Sequence, residues 1–158
     1  MSAEYAIALL ASTVAAATPL ALASLGELVA ERSGVLNLGV EGMMLVGAIA
    51  GFAAGIHTGS LTVAFIAAAA AGVAMSLLFG VLAITLQTNQ VATGLALTLF
   101  GVGLSAFVGR AYAGLPLAGL KPVLLGFDAI VYLSIALFAA VQWFLFRSRW
   151  VVVMCDVV

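Results

Sequence analysis

Residues 26–42 read GELVAERSGVLNLGVEG and separate two long apolar runs. The segment holds Glu27, Glu31, Arg32 and Glu41, four of the chain's eleven charged residues (five Lys or Arg plus six Asp or Glu). A charged side chain at the centre of a membrane costs about 2.5–3.5 kcal/mol on insertion scales. A polar segment in this position is therefore either a water-facing turn or a functional site.

The composition around this segment is that of a membrane protein. Of the 158 residues, 66% are hydrophobic and only 7% are charged, whereas soluble domains carry about 25% charged residues. Runs such as residues 67–71 and 77–82 do not alternate as barrel strands do. The sequence therefore predicts an all-α, polytopic transmembrane helix bundle in contact with lipid. The net charge of −1 gives no basis for nucleic-acid binding.

The hydropathy pattern predicts about five spans. They cover residues 5–30, 35–56, 61–86, 91–109 and 129–146. The second run begins with Asn37, Gly39 and Glu41, so we expect it to be a broken or re-entrant helix. Irregular backbone at membrane depth survives only where it is buried in protein or lines a cavity.

Two of the runs carry small residues at four-residue spacing. This spacing places them along one helix face, where another backbone can approach closely. The predicted helix-packing residues are Gly47, Gly51 and Gly55 in the second run and Gly101, Ser105 and Gly109 in the fourth.

Five polar residues are candidates for a solute path, and each has a structural alternative. Glu41 is either a first-turn carboxylate stabilised by the helix dipole or a carboxylate on the path. Asn37 either caps the following helix or bonds a polar solute. Asn89, Gln90 and Thr93 can donate and accept hydrogen bonds near the mouth of a span. Alternatively, they form a plain turn in which Asn89 caps the fourth run.

The sequence contains no motif for covalent chemistry. It lacks a GxxxxGK[ST] phosphate loop, HExxH, CxxC and GxSxG. Its one histidine and one cysteine, His57 and Cys155, lie far apart in the chain. We therefore expect no catalytic residue, no metal site and no cofactor on this chain, which is predicted not to be an enzyme.

Two stretches carry a resemblance to a known family. Residues 17–48 read ATPLALASLGELVAERSGVLNLGVEGMMLVGA, and residues 88–109 read TNQVATGLALTLFGVGLSAFVG. Together they resemble inner-membrane permeases of ABC transporters, in the ribose-type (branched-chain/sugar) permease family. The resemblance is to the branch that works with nucleoside-binding lipoproteins of the basic membrane protein type.

The resemblance implies a function, a location and partners. The implied function is import of a nucleoside or related sugar-containing solute across the inner (plasma) membrane by a multi-pass permease subunit. The implied partners are a second permease chain, ABC ATPase subunits that carry ATP and Mg, and an extracytoplasmic substrate-binding lipoprotein. Asn37 and Glu41 fall in the first matching stretch, and Asn89, Gln90 and Thr93 fall in the second.

The chain departs from the family in length. Such permeases are expected to be about twice as long, so we interpret residues 1–150 as the N-terminal half of a permease transmembrane domain in a truncated chain. Residues 151–158 form a tail that does not resemble the family. The alternative is a small helix-packing or oligomerising membrane protein without transport activity, in which alanine at Asn37 and Glu41 would change nothing.

Overall fold

The computed structural model describes residues 3–117 and 127–147, and this part of the chain contains five long α-helices. The helices are α1 (Ala3–Arg32), α2 (Val40–Thr58), α3 (Leu61–Gly80), α4 (Gln90–Gly109) and α5 (Ala129–Arg147). A π-helix, Val81–Thr85, extends α3, and a 3₁₀ turn, Arg110–Tyr112, extends α4. The predicted all-α helix bundle is therefore confirmed.

Four of these helices are long and apolar enough to cross a membrane. The candidate spans are Tyr5–Arg32, Val40–Thr58, Leu61–Thr85 and Gln90–Tyr112. The apolar part of α5, Ala129–Leu145, is shorter. Residues 148–158, which include the predicted tail, lie outside the described residues.

The chain divides into two compact units, and the first contains α1 and α5 packed on each other. The mostly apolar helix α1 has 30 residues and continues without a break through Pro19. The hydroxyls of Thr18 and Ser134 are buried, and each donates to a carbonyl of its own helix, Val14 and Val131 respectively. Both polar groups are thereby satisfied within the apolar helices.

The second unit, residues 35–117, is built around α2, which packs on both α3 and α4. A side-chain carbon at Gly51 would lie 2.9 Å from the carbonyl oxygen of Ala64 and 2.9 Å from Cβ of Ala68. The backbones of α2 and α3 can approach this closely because Gly51 lacks a side chain. The buried cluster of this unit contains Met43, Val46, Met75, Phe79, Ala83 and Leu97.

Candidate functional site

The backbone before α2 is not helical, and residues 35–39 instead run along the first half of α4. The Leu36 N–H donates to Oε1 of Gln90 at 2.8 Å. Two turns further along α4, the Thr98 hydroxyl donates to the Leu38 carbonyl oxygen at 2.8 Å. These two bonds replace part of the backbone pairing that the segment loses by not being helical.

Glycines allow this segment to lie directly on α4. A side-chain carbon at Gly94 would lie 2.8 Å from the Leu38 nitrogen. One at Gly42 would lie 2.5 Å from the Leu97 carbonyl oxygen. The α4 backbone therefore packs directly against one side of this irregular segment.

The first turn of α2 lies beside the middle of α4, where Gly42 and Gly101 are in backbone contact. Gly101 is the twelfth of the 23 residues in the candidate span Gln90–Tyr112, about 16 Å along the helix axis from Gln90. The first turn of α2 therefore lies beside the middle of a helix that is long and apolar enough to cross a membrane. The second run is therefore non-helical at its start, over residues 35–39, and helical from Val40 onward.

Asn37 stabilises the turn that leads into α2. Its side chain is buried, Oδ1 accepts the Gly39 N–H at 2.9 Å, and Nδ2 lies 3.7 Å from Sδ of Met43. The N-cap position is occupied by Gly39, which has no capping side chain. Asn37 thus acts from two residues before the N-cap, and its Nδ2 group has only the weak sulfur acceptor of Met43 among the described residues.

Glu41 is the exposed charge of this region. It lies in the first turn of α2, where the helix dipole favours a carboxylate. Within residues 3–117 and 127–147 it makes no hydrogen bond or ion pair. Since Glu41 precedes Gly42 directly, its backbone lies close to the contact of Gly42 with the middle of α4. A charge near the centre of a membrane requires water or a polar partner.

The polar residues at the start of α4 are largely occupied by local bonds. Asn89 caps α4, because its Oδ1 accepts the Ala92 N–H at 3.0 Å. The hydroxyls of Thr93 and Thr88 bond each other at 2.8 Å. Gln90 uses Oε1 to accept the Leu36 N–H, which leaves its Nε2 group available.

A groove beside this turn was not predicted from the sequence. Its volume is about 330 Å³, and it is lined by Val35, Ala83, Ile84, Gln87, Thr88 and Gln90. The π-helix at the end of α3 shapes one wall. Gln87 has φ 49°, a left-handed conformation that favours glycine or asparagine. The polar run from 87 to 90 was the available signal, but neither the π-helix nor the conformation of Gln87 could be read from it.

A second polar contact lies at the opposite end of α2. Nε2 of His57 and the hydroxyl of Tyr112 are 2.9 Å apart, and their rings meet edge to face, as do those of Phe52 and Tyr112. The described residues contain no group of three or more His, Cys, Asp or Glu that could hold a metal ion. His57 therefore forms part of a contact between α2 and the 3₁₀ turn that extends α4.

The architecture is that of a multi-pass α-helical membrane protein in which a short non-helical segment, residues 35–39, packs on the neighbouring candidate span α4. Residues 9–150 match the family described as the permease component of the branched-chain amino acid transport system, and the chain belongs to that family. It is a multi-pass protein of the inner (plasma) membrane.

Three relatives have informative names. A protein of Haloferax volcanii named as a glucose ABC transporter permease is 42% identical over 166 residues, 92% of this chain and 50% of the relative. A guanosine ABC transporter permease of Bacillus subtilis is 33% identical over 103 residues, 61% of this chain and 32% of the relative. A nucleoside ABC transporter permease of Lactococcus lactis is 31% identical over 97 residues, 58% and 31% respectively.

The chain thus matches at most half the length of each of these relatives. No solved structure matches it significantly.

Proposed function

We propose that the chain forms part of the permease subunit of an ABC importer for a nucleoside or related sugar-containing solute. Its family supports a permease. The solutes in the relatives' names are glucose, guanosine and nucleosides, and all of them contain a sugar. The alternative of a helix-packing protein without transport activity is not favoured, because the family and all three relatives are transport permeases.

The observation that carries the proposal is Glu41, which is exposed next to the contact of Gly42 with the middle of α4 and has no hydrogen-bond or ion-pair partner among the described residues. A carboxylate surrounded by lipid would be costly, and a carboxylate beside a water-filled passage would not. The first turn of α2 lies next to it, its N-cap residue Gly39 makes no side-chain cap bond, and the first N–H groups of a helix have no partner within that helix. Discontinuous helices with polar ends near the membrane centre are how transporters build solute sites.

The energy for transport is proposed to come from partner chains. The sequence has no phosphate-binding loop, so ATP and Mg would be bound by separate ATPase subunits. A second permease chain would complete the passage, and an extracytoplasmic substrate-binding lipoprotein would deliver the solute. Binding would be weak in the passage because the solute must also leave it.

The test is uptake by cells that express the complete operon, compared with cells in which only this permease gene is deleted. Labelled guanosine, ribose, glucose and leucine are supplied separately. We expect a sugar-containing label to accumulate only when the permease is present. Accumulation of leucine alone, or equal accumulation in both strains, would overturn the proposal.

A further inference from the structure

We propose that the groove at the α3–α4 turn is a solute subsite in which the carboxamide of Gln87 bonds a neutral ring carrying an adjacent donor and acceptor. This inference rests on the proposed function and assigns a position and a binding chemistry within it. Gln87 was not among the residues that the sequence identified. The structure distinguishes it from its neighbours because its side chain has no hydrogen bond within the described residues.

The turn that presents Gln87 is held firmly on both sides. The Leu86 N–H donates to the Val81 carbonyl oxygen at 3.0 Å and closes the π-helix. On the other side, the backbone N–H and the hydroxyl of Thr88 both donate to the Leu82 carbonyl oxygen, at 3.1 and 2.7 Å. Gln87 is thereby fixed in a left-handed conformation that glycine would adopt with less strain. Strained backbone and single π-turns both occur frequently at functional sites.

The walls of the groove define the chemistry of the ligand. The groove's apolar lining residues are Val35, Ala83 and Ile84, and its polar lining residues are Gln87, Thr88 and Gln90. Because no lining residue is ionisable, the groove suits a neutral molecule. A volume of about 330 Å³ lies within the usual range of small-molecule sites.

The side-chain amides of Gln87 and Gln90 differ in the hydrogen bonds that they make within the described residues. Gln87 offers a donor and an acceptor side by side. Gln90 keeps only its Nε2 donor, since Oε1 is bonded to the Leu36 N–H. The Thr88 hydroxyl already contacts both the Leu82 carbonyl oxygen and the Thr93 hydroxyl. Neighbouring hydroxyls of a sugar and the amide edge of a nucleobase both match the adjacent donor and acceptor of Gln87. In either case, the face of the ring would contact the apolar lining residues.

The first experiment compares Gln87→Gly and Gln87→Asn in the complete transporter, purified with its partner chains. Glycine removes the carboxamide and relieves the backbone, whereas asparagine keeps a carboxamide and tolerates the same conformation. We expect Gln87→Gly to melt at the same temperature as wild type or higher but to bind solute about tenfold more weakly. Gln87→Asn should retain more of the affinity than Gln87→Gly. Equal affinity of wild type and Gln87→Gly would overturn the subsite.

The second experiment measures protection of a thiol and does not depend on transport. Cys155 is first replaced by serine, and Gln87→Cys is compared with Leu86→Cys, an exposed neighbour that does not line the groove. Guanosine, ribose, glucose and hypoxanthine are tested separately for slowing maleimide labelling. Protection at position 87 but not at 86 supports the subsite, and protection by sugar or by base alone identifies the bonded part. Equal labelling with and without every solute overturns it.

The two proposals fail differently. If wild-type cells accumulate no sugar-containing label, the proposed function is wrong, and thiol protection still decides whether the groove binds a neutral ring. If wild type accumulates the label and Gln87→Gly matches it in binding and uptake, the subsite alone is wrong.

Discussion

Gly42 and Gly101 meet backbone to backbone, and a side-chain carbon at Gly101 would overlap the main chain of Gly42. This contact fixes where α2 begins along α4, because Gly101 lies in the middle of the candidate span Gln90–Tyr112. The preceding residues 35–39 are consequently pressed against the first half of α4. The packing of the non-helical segment and the start of α2 therefore depends on the absence of a side chain at one position of a neighbouring helix.

Substituting Gly101 by alanine should destabilise the second unit. The new methyl group would meet backbone atoms that cannot rotate away, and overpacking of this kind costs about 1–3 kcal/mol. Gly103→Ala is the matched control, since nothing lies within 4 Å of a carbon added there. Unfolding of the purified chain in mixed micelles with increasing SDS would measure both. Equal stability of the two variants would contradict the backbone contact.

The sequence predicted the helical fold well, because its signal is the apolar runs themselves. Long uncharged segments permit few alternatives in a membrane, so the positions of α1 to α4 follow from hydropathy. The non-helical start of the second run was also predictable, since Asn37, Gly39 and Glu41 all oppose a buried helix. The pairing of that segment with α4 was not predictable, because glycine spacing indicates close approach without identifying the partner helix.

The hydroxyl of Thr98 is predicted to hold the non-helical segment in place. Thr98→Val keeps the shape of the side chain but removes the donor to the Leu38 carbonyl oxygen. Hydrogen bonds between membrane helices contribute about 0.6–1.7 kcal/mol, and we expect a loss in that range. Thr98→Ser retains a hydroxyl and should lose less. Hydrogen exchange at residues 35–39 should accelerate in the valine variant, and unchanged exchange there would contradict the assigned role.

The bond between His57 and Tyr112 should stabilise the far end of α2. Tyr112→Phe removes the hydroxyl, 2.9 Å from Nε2, but keeps the ring contacts to Phe52 and His57. We expect a loss of about 0.5–1.5 kcal/mol, the usual net value of one hydrogen bond. Tyr5→Phe, at an exposed position on α1, is the control and should be neutral. An SDS unfolding midpoint for Tyr112→Phe equal to that of Tyr5→Phe would show that the bond adds nothing.

The hydrogen-bonding state of the candidate solute-path residues could not be predicted from the sequence. A run such as residues 87–90 shows polar groups near the mouth of a span, but not which of them are already bonded. In the structure, Asn89 caps α4, and the hydroxyl of Thr93 is hydrogen-bonded to the hydroxyl of Thr88. The Gln87 carboxamide, in contrast, makes no hydrogen bond to any residue that the structure describes. Local hydrogen bonding depends on a π-helix and a left-handed residue, neither of which has a strong composition signal.

Glu41 supplies the most direct test of the proposed passage. Glu41→Gln removes the charge at nearly constant size, and because the carboxylate is exposed without a partner in the described residues, the stability of the fold should change by less than about 0.5 kcal/mol. Uptake by the complete transporter should nevertheless fall about tenfold or more if the carboxylate lines the solute path, since a lost charge-assisted hydrogen bond is worth about 1.5–3 kcal/mol.

Glu31→Gln on α1 is the matched control for Glu41→Gln, because it removes another exposed carboxylate outside the non-helical segment and should leave uptake unchanged. Assembly with the partner chains is measured by co-purification in both variants, so that a transport defect can be separated from a failure to assemble. Normal uptake by Glu41→Gln in an intact assembly would remove Glu41 from the path. A loss of assembly would instead place its carboxylate at a contact with a partner chain.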